Sequence, residues 1–342
     1  MRVARYYNNR DVRLEELPTP PIGPGELLVR VIASGICGSD VMEWYRVHKA
    51  PLVLGHEIAG EIVAVGEGVE EYKAGDRISA VHHIPCNTCR YCRSGHSTVC
   101  ETLRRTHFDP GGFAEYVRLP SINVDHGVYR LPDAVSFEEA TFIEPLACVI
   151  RGQRLARIQP GHCVLVIGSG IAGLLHIQLA RAREAGRIVA TDMVDHRLEA
   201  ARRLGADATI HAKEDVPVLL RRFNEGRPAD TVIICTGSPA AIAQGLQSVD
   251  RGGTVLFFAP TEPGVTLPLS INDLFWRNEI TLTSSYAGDS SDCKAALELI
   301  RTRSVRVREM ITHRLGLAET GLGFKLVAEA KESIKVIIEP ER

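Results

Sequence analysis

The sequence predicts an α/β protein in two parts, a mostly β domain with long loops and a doubly wound parallel-sheet domain. Three observations predict this. The chain has 342 residues, more than one hydrophobic core normally serves. Up to about residue 150, short apolar runs are punctuated by Gly and Pro, the texture of strands joined by turns. From Cys163 onward, apolar runs alternate with helical stretches across short links, the pattern of a sheet covered by helices on both faces.

Composition narrows the functional classes. Hydrophobic content of 45% and charged content of 24% are those of an ordinary globular protein. Lys+Arg at 40 against Asp+Glu at 42 leaves a net charge of -2, without the basic footprint of a nucleic-acid binder. No apolar run reaches the length of a membrane span. The opening MRVARYYNNR carries charges with no apolar core behind them, unlike a secretory signal, so cytoplasmic residence is the expectation. Of nine cysteines, four cluster at 86, 89, 92 and 100, while Cys37, Cys148, Cys163, Cys235 and Cys293 are scattered. Clustered thiols in a reducing compartment point to a metal rather than to disulfides.

Taken in order, residues 3–7, 27–33, 58–65, 77–81 and 113–119 read as strands, and the stretch after Val41 as helical. Residues 85–102 make a loop long enough to demand a function or a metal. Ser136 and Glu139 form a capping-box pattern, opening a helix expected to run on through Glu144 with a kink at Pro145. It should end near 156–158 and bridge the domains. Strands are then expected at 163–167, 187–192, 208–211, 231–235 and 254–259, with helices between them. Residues 279–286 read as an edge strand, 292–303 as a helix and 334–338 as a closing strand. The tail lacks strand–helix alternation, so it is assigned to the first domain. The expected boundaries are 1–150 with 287–342, and 151–286.

Three constellations carry chemistry. Cys86-x2-Cys89-x2-Cys92-x7-Cys100 can wrap one tetrahedral zinc with no open position, a structural site. A ferredoxin-type cluster would close with C-x3-C-P, which is absent. The second is Cys37, held between glycines in Gly35-Ile36-Cys37-Gly38-Ser39-Asp40, with Gly55-His56-Glu57 nineteen residues on and Glu144 in an otherwise apolar stretch. Each acid alone would be read as a surface charge and His56 as a core histidine. Together, Cys, His and Glu suit a zinc that keeps one position for substrate. A carboxylate in an apolar stretch also needs a partner.

The third is Gly168-Ser169-Gly170-Ile171-Ala172-Gly173, directly after a buried strand and opening a helix. Such glycines let the backbone approach a pyrophosphate at the positive end of a helix. Asp192, nineteen residues after Gly173, is placed to accept from a ribose hydroxyl and to repel a 2′-phosphate, which favours NAD over NADP. Arg197 lies close enough to weaken that preference.

These motifs together resemble the zinc-dependent medium-chain dehydrogenase family, in its order and spacing over essentially the whole chain. The polyol (sorbitol dehydrogenase-like) branch resembles it most, with L-threonine dehydrogenases close by. The resemblance implies a GroES-like catalytic domain, a Rossmann domain inserted before the C-terminal tail, and a homodimer or homotetramer pairing through the edge strand around 281–286. It implies two zincs per subunit and NAD. Cys37, His56, Glu57 and Glu144 correspond to the catalytic zinc set, with Glu57 or Glu144 acting through water or exchanging during turnover, and Ser39 to the hydroxyl that passes on the substrate proton. Thr236, Gly237, Ser284, Ser285 and Tyr286 correspond to stretches lining the cofactor, and Cys148 to a position facing the nicotinamide.

The reaction implied is oxidation of a secondary alcohol, with proton loss and hydride transfer to NAD. One departure concerns the substrate. Relatives commonly carry a proton-shuttling His five residues after the zinc Cys, where this chain has Met42, followed by Glu43. Glu43, His48 or ordered water must complete the relay, and the pocket differs from the sorbitol type. Oxidation of an amino alcohol, as in L-threonine dehydrogenase, is the alternative reading. A nucleotide-binding redox sensor would be expected to lack the ligands this chain retains.

Overall fold

The computed structural model describes residues 1–342 as two compact units. Unit 1 comprises Met1–Ala147, Ala287–Thr302 and Val307–Arg342; unit 2 comprises Cys148–Tyr286 and Arg303–Arg306.

Unit 1 begins with β1 (Arg2–Asn8) and β2 (Asp11–Glu16), a hairpin that β4 (Leu52–Val53) extends. Its main sheet uses β3 (Leu27–Gly35), β5 (Glu57–Val65), β6 (Arg77–Val81), β7 (Tyr116–Leu119) and β8 (Val128–Arg130). In β3, Leu27, Val29 and Val31 are fully buried while the residues between them are half-exposed. That period of two lets one face build a core with Ile58, Ile62, Ile78 and Val117.

Register gathers the site. Gly35 pairs with Glu57, and Glu57 with Val81. Residues just past these ladder positions, Cys37 and His82, and just before them, His56, therefore meet at one end of the sheet.

Unit 2 is a six-stranded, all-parallel sheet of β9 (Cys163–Ile167), β10 (Arg187–Asp192), β11 (Ala208–His211), β12 (Ala229–Ile234), β13 (Val249–Phe257) and β14 (Thr281–Ser284). The spatial order is β11-β10-β9-β12-β13-β14, so the chain winds outward from β9 in one direction and then in the other. Every residue of β9 is buried, as a strand covered on both faces requires.

The chain then returns to unit 1 with β15 (Ile311–Gly316) and β16 (Lys335–Glu339). β16 pairs with β3 through Ile337 and Gly35, which brings Lys335 to the same sheet end as Cys37.

The helix expected from Ser136 onward differs in detail. The capping box is present, with Ser136 and Glu139 bonded reciprocally, but the helix Phe137–Ala140 stops and a second, Ile143–Leu155, begins. Pro145 falls in the first turn of the second helix, where a backbone donor has no helical partner to lose. The break lies at 141–142 and Pro145 makes no kink.

Candidate active site

One sulfur of Cys37, one nitrogen of His56 and one carboxylate oxygen of Glu57 lie within 4.8 Å of one another. Cys37 leaves the end of β3 and its Sγ accepts the Ser39 N–H at 3.4 Å. Asp40, fully buried, accepts the Cys37 N–H at 3.0 Å through Oδ2. Its Oδ1 lies 3.3 Å from His56 Nδ1 and 3.7 Å from Arg46 Nη2. The Asp40 contact uses one ring nitrogen of His56 and leaves the other for a metal, the usual way a carboxylate orients a ligating imidazole. Burial opposes charge on both groups, yet their mutual attraction holds the Asp40 carboxyl below its ordinary range and the His56 imidazole well above its own.

Glu57 is 1% exposed and forms an ion pair with Lys335 Nζ, whose side chain is fully buried. A lysine there is tolerable because Glu57, the Ile36 carbonyl at 3.4 Å and the Phe142 ring face beneath it at 5.4 Å all receive the ammonium. Gly35 makes room for the pair, since a Cβ at that position would sit 2.6 Å from Lys335 Nζ. The other oxygen, Glu57 Oε1, is buried without a hydrogen-bond partner. An orphaned carboxylate oxygen beside a thiol and an imidazole fits zinc.

Glu144, the second residue of the helix Ile143–Leu155, is half-buried and falls outside that three-residue group. Its negative charge is felt at Cys293, whose thiol is pushed up mainly by burial. Ser39 Oγ accepts from Arg46 Nη2 at 3.2 Å, and the Ser39 carbonyl accepts from Arg46 Nε at 2.9 Å. Met42 follows the turn Gly38–Val41, and Glu43 accepts the Asn9 N–H at 3.2 Å.

The sulfurs of Cys86, Cys89, Cys92 and Cys100 form the second group within 4.8 Å. Cys89 and Cys92 are 3.5 Å apart, and Cys86 and Cys100 3.6 Å. Thr88 Oγ1 and the Cys89 N–H both donate to Cys86, and its thiol is pulled down to about 5, led by the Thr88 hydrogen bond. Burial and the neighbouring sulfurs push Cys92 up to about 12. Four sulfurs converging with backbone donors fit a closed tetrahedral zinc.

In unit 2, the candidate cofactor residues lie at or beyond the carboxyl ends of parallel strands. Ile167 is in register with Thr191 and Ile234, Ile234 with Phe257, and Phe257 with Ser284. Gly168, Asp192, Thr236 and Ser285 thus share one sheet edge, where such folds bind dinucleotides. Gly168 has φ +92°, and a Cβ on Gly173 would collide with the Gly168 carbonyl. Gly170 caps the helix Ile171–Ala182, which opens with Ile171 and Ala172. Asp192 accepts the Ser169 and Val194 N–H groups at 2.8 and 3.0 Å, one on each oxygen. Arg197 lies beside Gly170, its Nη1 3.7 Å from where a Cβ would be. Ser285 Oγ is buried without a partner.

Comparison with known proteins bears on this geometry. The alcohol dehydrogenase GroES-like domain family matches residues 23–133, and the zinc-binding dehydrogenase family matches 172–302. The chain is 32% identical to sorbitol dehydrogenase of Bacillus subtilis, over 100% of this chain and 98% of the relative. The chain belongs to the zinc-dependent medium-chain dehydrogenase family. It is an oxidoreductase of alcohols that uses zinc and a nicotinamide dinucleotide. Among solved structures, this dehydrogenase matches the alcohol dehydrogenase of Thermus sp. ATN1 at 31% identity and TM-score 0.86, covering 99% of both chains. A zinc-binding dehydrogenase of Sinorhizobium meliloti 1021, bound to NADP, matches at 27% identity and TM-score 0.87 over 99% of both chains. No helix of this chain is long and apolar enough to cross a membrane.

Three contributors to the site escaped the sequence reading. Asp40 stands inside the Cys37 motif, where nothing in its spacing marks its contact with His56. Lys335 stands as a cation inside an apolar run, but nothing local to that run says which carboxylate it meets. Arg46 carried no signal, because its spacing from Ser39 matters only once the chain turns.

Proposed function

We propose that this dehydrogenase oxidises a secondary alcohol of a polyol, sugar alcohol or sugar derivative, with NAD as acceptor. The observation that carries the reading is the convergence of Cys37, His56 and Glu57 two residues from the Ser39 hydroxyl. Zinc held by these residues would supply Lewis-acid polarisation of the alcohol oxygen, and NAD would supply the hydride acceptor. Ser39 takes the alcohol proton, and Glu144 joins the ligand set through water or by exchange. Arg46 holds the Ser39 hydroxyl in place, and Met42 takes no part because it cannot ionise. The proton leaves through water, His48 or Glu43.

In unit 2, Gly168, Gly170 and Gly173 admit the pyrophosphate, with Ile171 and Ala172 opening the helix behind it. Thr236 and Ser285 line the cofactor. Asp192 meets the adenosine ribose and repels a 2′-phosphate, while Arg197 tempers that preference. We further propose cytoplasmic residence and a homodimer or homotetramer paired along β14, which ends the sheet. Ile271 and Trp276, in the stretch before it, are 66% and 65% exposed, an apolar surface a partner copy would cover.

The test is steady-state oxidation of C4 to C6 polyols and L-threonine by the zinc-loaded protein, with NAD and with NADP. A higher kcat/KM for polyols with NAD is expected. Preference for threonine or for NADP overturns the corresponding half of the reading.

A further inference from the structure

Residues 38–49, between Cys37 and β4, place permanent positive charge at the reactive group. Arg46 is the centre of it. Its guanidinium, only 15% exposed, holds both the carbonyl and the hydroxyl of Ser39. The Tyr45 ring carries two cations, the Arg46 guanidinium at 4.7 Å and the Lys49 ammonium at 4.2 Å. A row of imidazole rings begins at His56. His56 and His82 lie 4.7 Å apart, His82 and His83 3.7 Å, and His83 and His107 6.2 Å. Burial, and after it the charges of Lys49 and Arg46, hold the His107 imidazole below its ordinary range.

Little answers that charge. Asp40 is the acid nearest Arg46, at 3.7 Å, and it is already engaged by the Cys37 N–H and by His56. Glu43 receives the Asn9 N–H, and Glu57 is paired with Lys335. His82 Nδ1 is buried without a partner. A neutral polyol offers hydroxyls to these groups and would desolvate a guanidinium with only neutral oxygens in return. A carboxylate or a phosphate matches the guanidinium fork.

We propose that the alcohol this enzyme oxidises carries an anionic group, a carboxylate or a phosphate, bound by Arg46 with help from Lys49. The proposal rests on the alcohol-oxidation reading above and narrows its substrate class. It departs from the neutral substrate in the name of the sorbitol dehydrogenase relative. Arg46 is a specificity residue in this account, and it also positions Ser39. Because the positioning role affects every substrate alike, the ratio between charged and neutral substrates is the quantity that reports on the proposal.

The experiment compares sorbitol, D-gluconate and sorbitol 6-phosphate as substrates of the zinc-loaded enzyme with NAD, for wild type, Arg46→Met and Lys49→Met. Binding of the same three compounds is measured by titration calorimetry. Wild type is expected to favour at least one charged compound by about tenfold or more in kcat/KM, and the winner distinguishes carboxylate from phosphate. Arg46→Met should erase a preference of up to about 100-fold, mainly through KM, as loss of a charge-assisted pair predicts. Lys49→Met, more exposed, should cost about threefold. Added salt should weaken the charged compounds and leave sorbitol unchanged. Equal or better use of sorbitol, or a preference that survives Arg46→Met, overturns the proposal. If none of the three is oxidised, the alcohol-oxidation reading is at fault, and calorimetry decides the anion proposal alone. Tighter anion binding that disappears in Arg46→Met supports it, and equal affinities for all three refute it.

Discussion

The two candidate sites, the proposed zinc group of unit 1 and the proposed cofactor edge of unit 2, are built from opposite materials. In unit 1 the candidate zinc group is made of side chains from distant parts of the chain: Cys37 past β3, His56 and Glu57 at the start of β5, Lys335 in β16. In unit 2 the cofactor edge is made largely of backbone, a glycine turn and strand ends set by a parallel register. The first depends on balanced buried charge and the second on the absence of side chains. Each should therefore fail in its own way.

The largest effect is expected where the charge balance is broken. Lys335→Met removes the cation from beside Glu57 and leaves a buried carboxylate uncompensated, at a cost of between about 3 and 5 kcal/mol. Urea unfolding of the zinc-free protein, where no metal stands beside Glu57, measures it, and the double variant with Glu57→Gln should recover most of the loss. A single variant as stable as wild type would show that the pair carries no such balance.

Unit 2 should instead respond to protonation of a group it buries neutral. His176, in the helix behind the glycine turn, is fully buried against Phe258. Burial, helped by Arg183, holds its imidazole down at about 3, against 6.5 when unfolded. Below pH 6.5 the unfolded chain takes up a proton that the folded one refuses. The contribution is therefore complete above that pH and is lost progressively down to about pH 3. Between pH 7 and 5 the loss should be about 2 kcal/mol. His176→Gln should flatten that part of the stability profile, measured by urea unfolding at each pH. An unchanged slope would remove His176 from the account.

The contrast also explains what could be read in advance. The candidate cofactor edge stands out in the sequence because its signal is contiguous, running from a buried strand through Gly168 to Gly173 into a helix, with Asp192 at a fixed distance. The four-thiol loop was legible for the same reason. The candidate ligands Cys37, His56 and Glu57, which the structure brings together, could be picked out by residue type and by resemblance. What supports them could not be, because Arg46, Lys335 and the task of Asp40 depend on turns and strand pairing that no local spacing encodes. The capping box at Ser136 was legible, but the break at 141–142 was not, since Pro145 is as compatible with a first turn as with a kink.

Zinc content measured beside turnover tests the central claim, that Cys37, His56 and Glu57 hold the reactive metal separately from the four-thiol loop. Wild type should carry two zincs per chain. Cys37→Ala should carry one, keep its melting temperature to within a few degrees, bind NAD and turn over no alcohol. Cys92→Ser should also carry one, while losing stability through the opened loop. A Cys37→Ala enzyme that keeps both zincs and its activity would contradict the account.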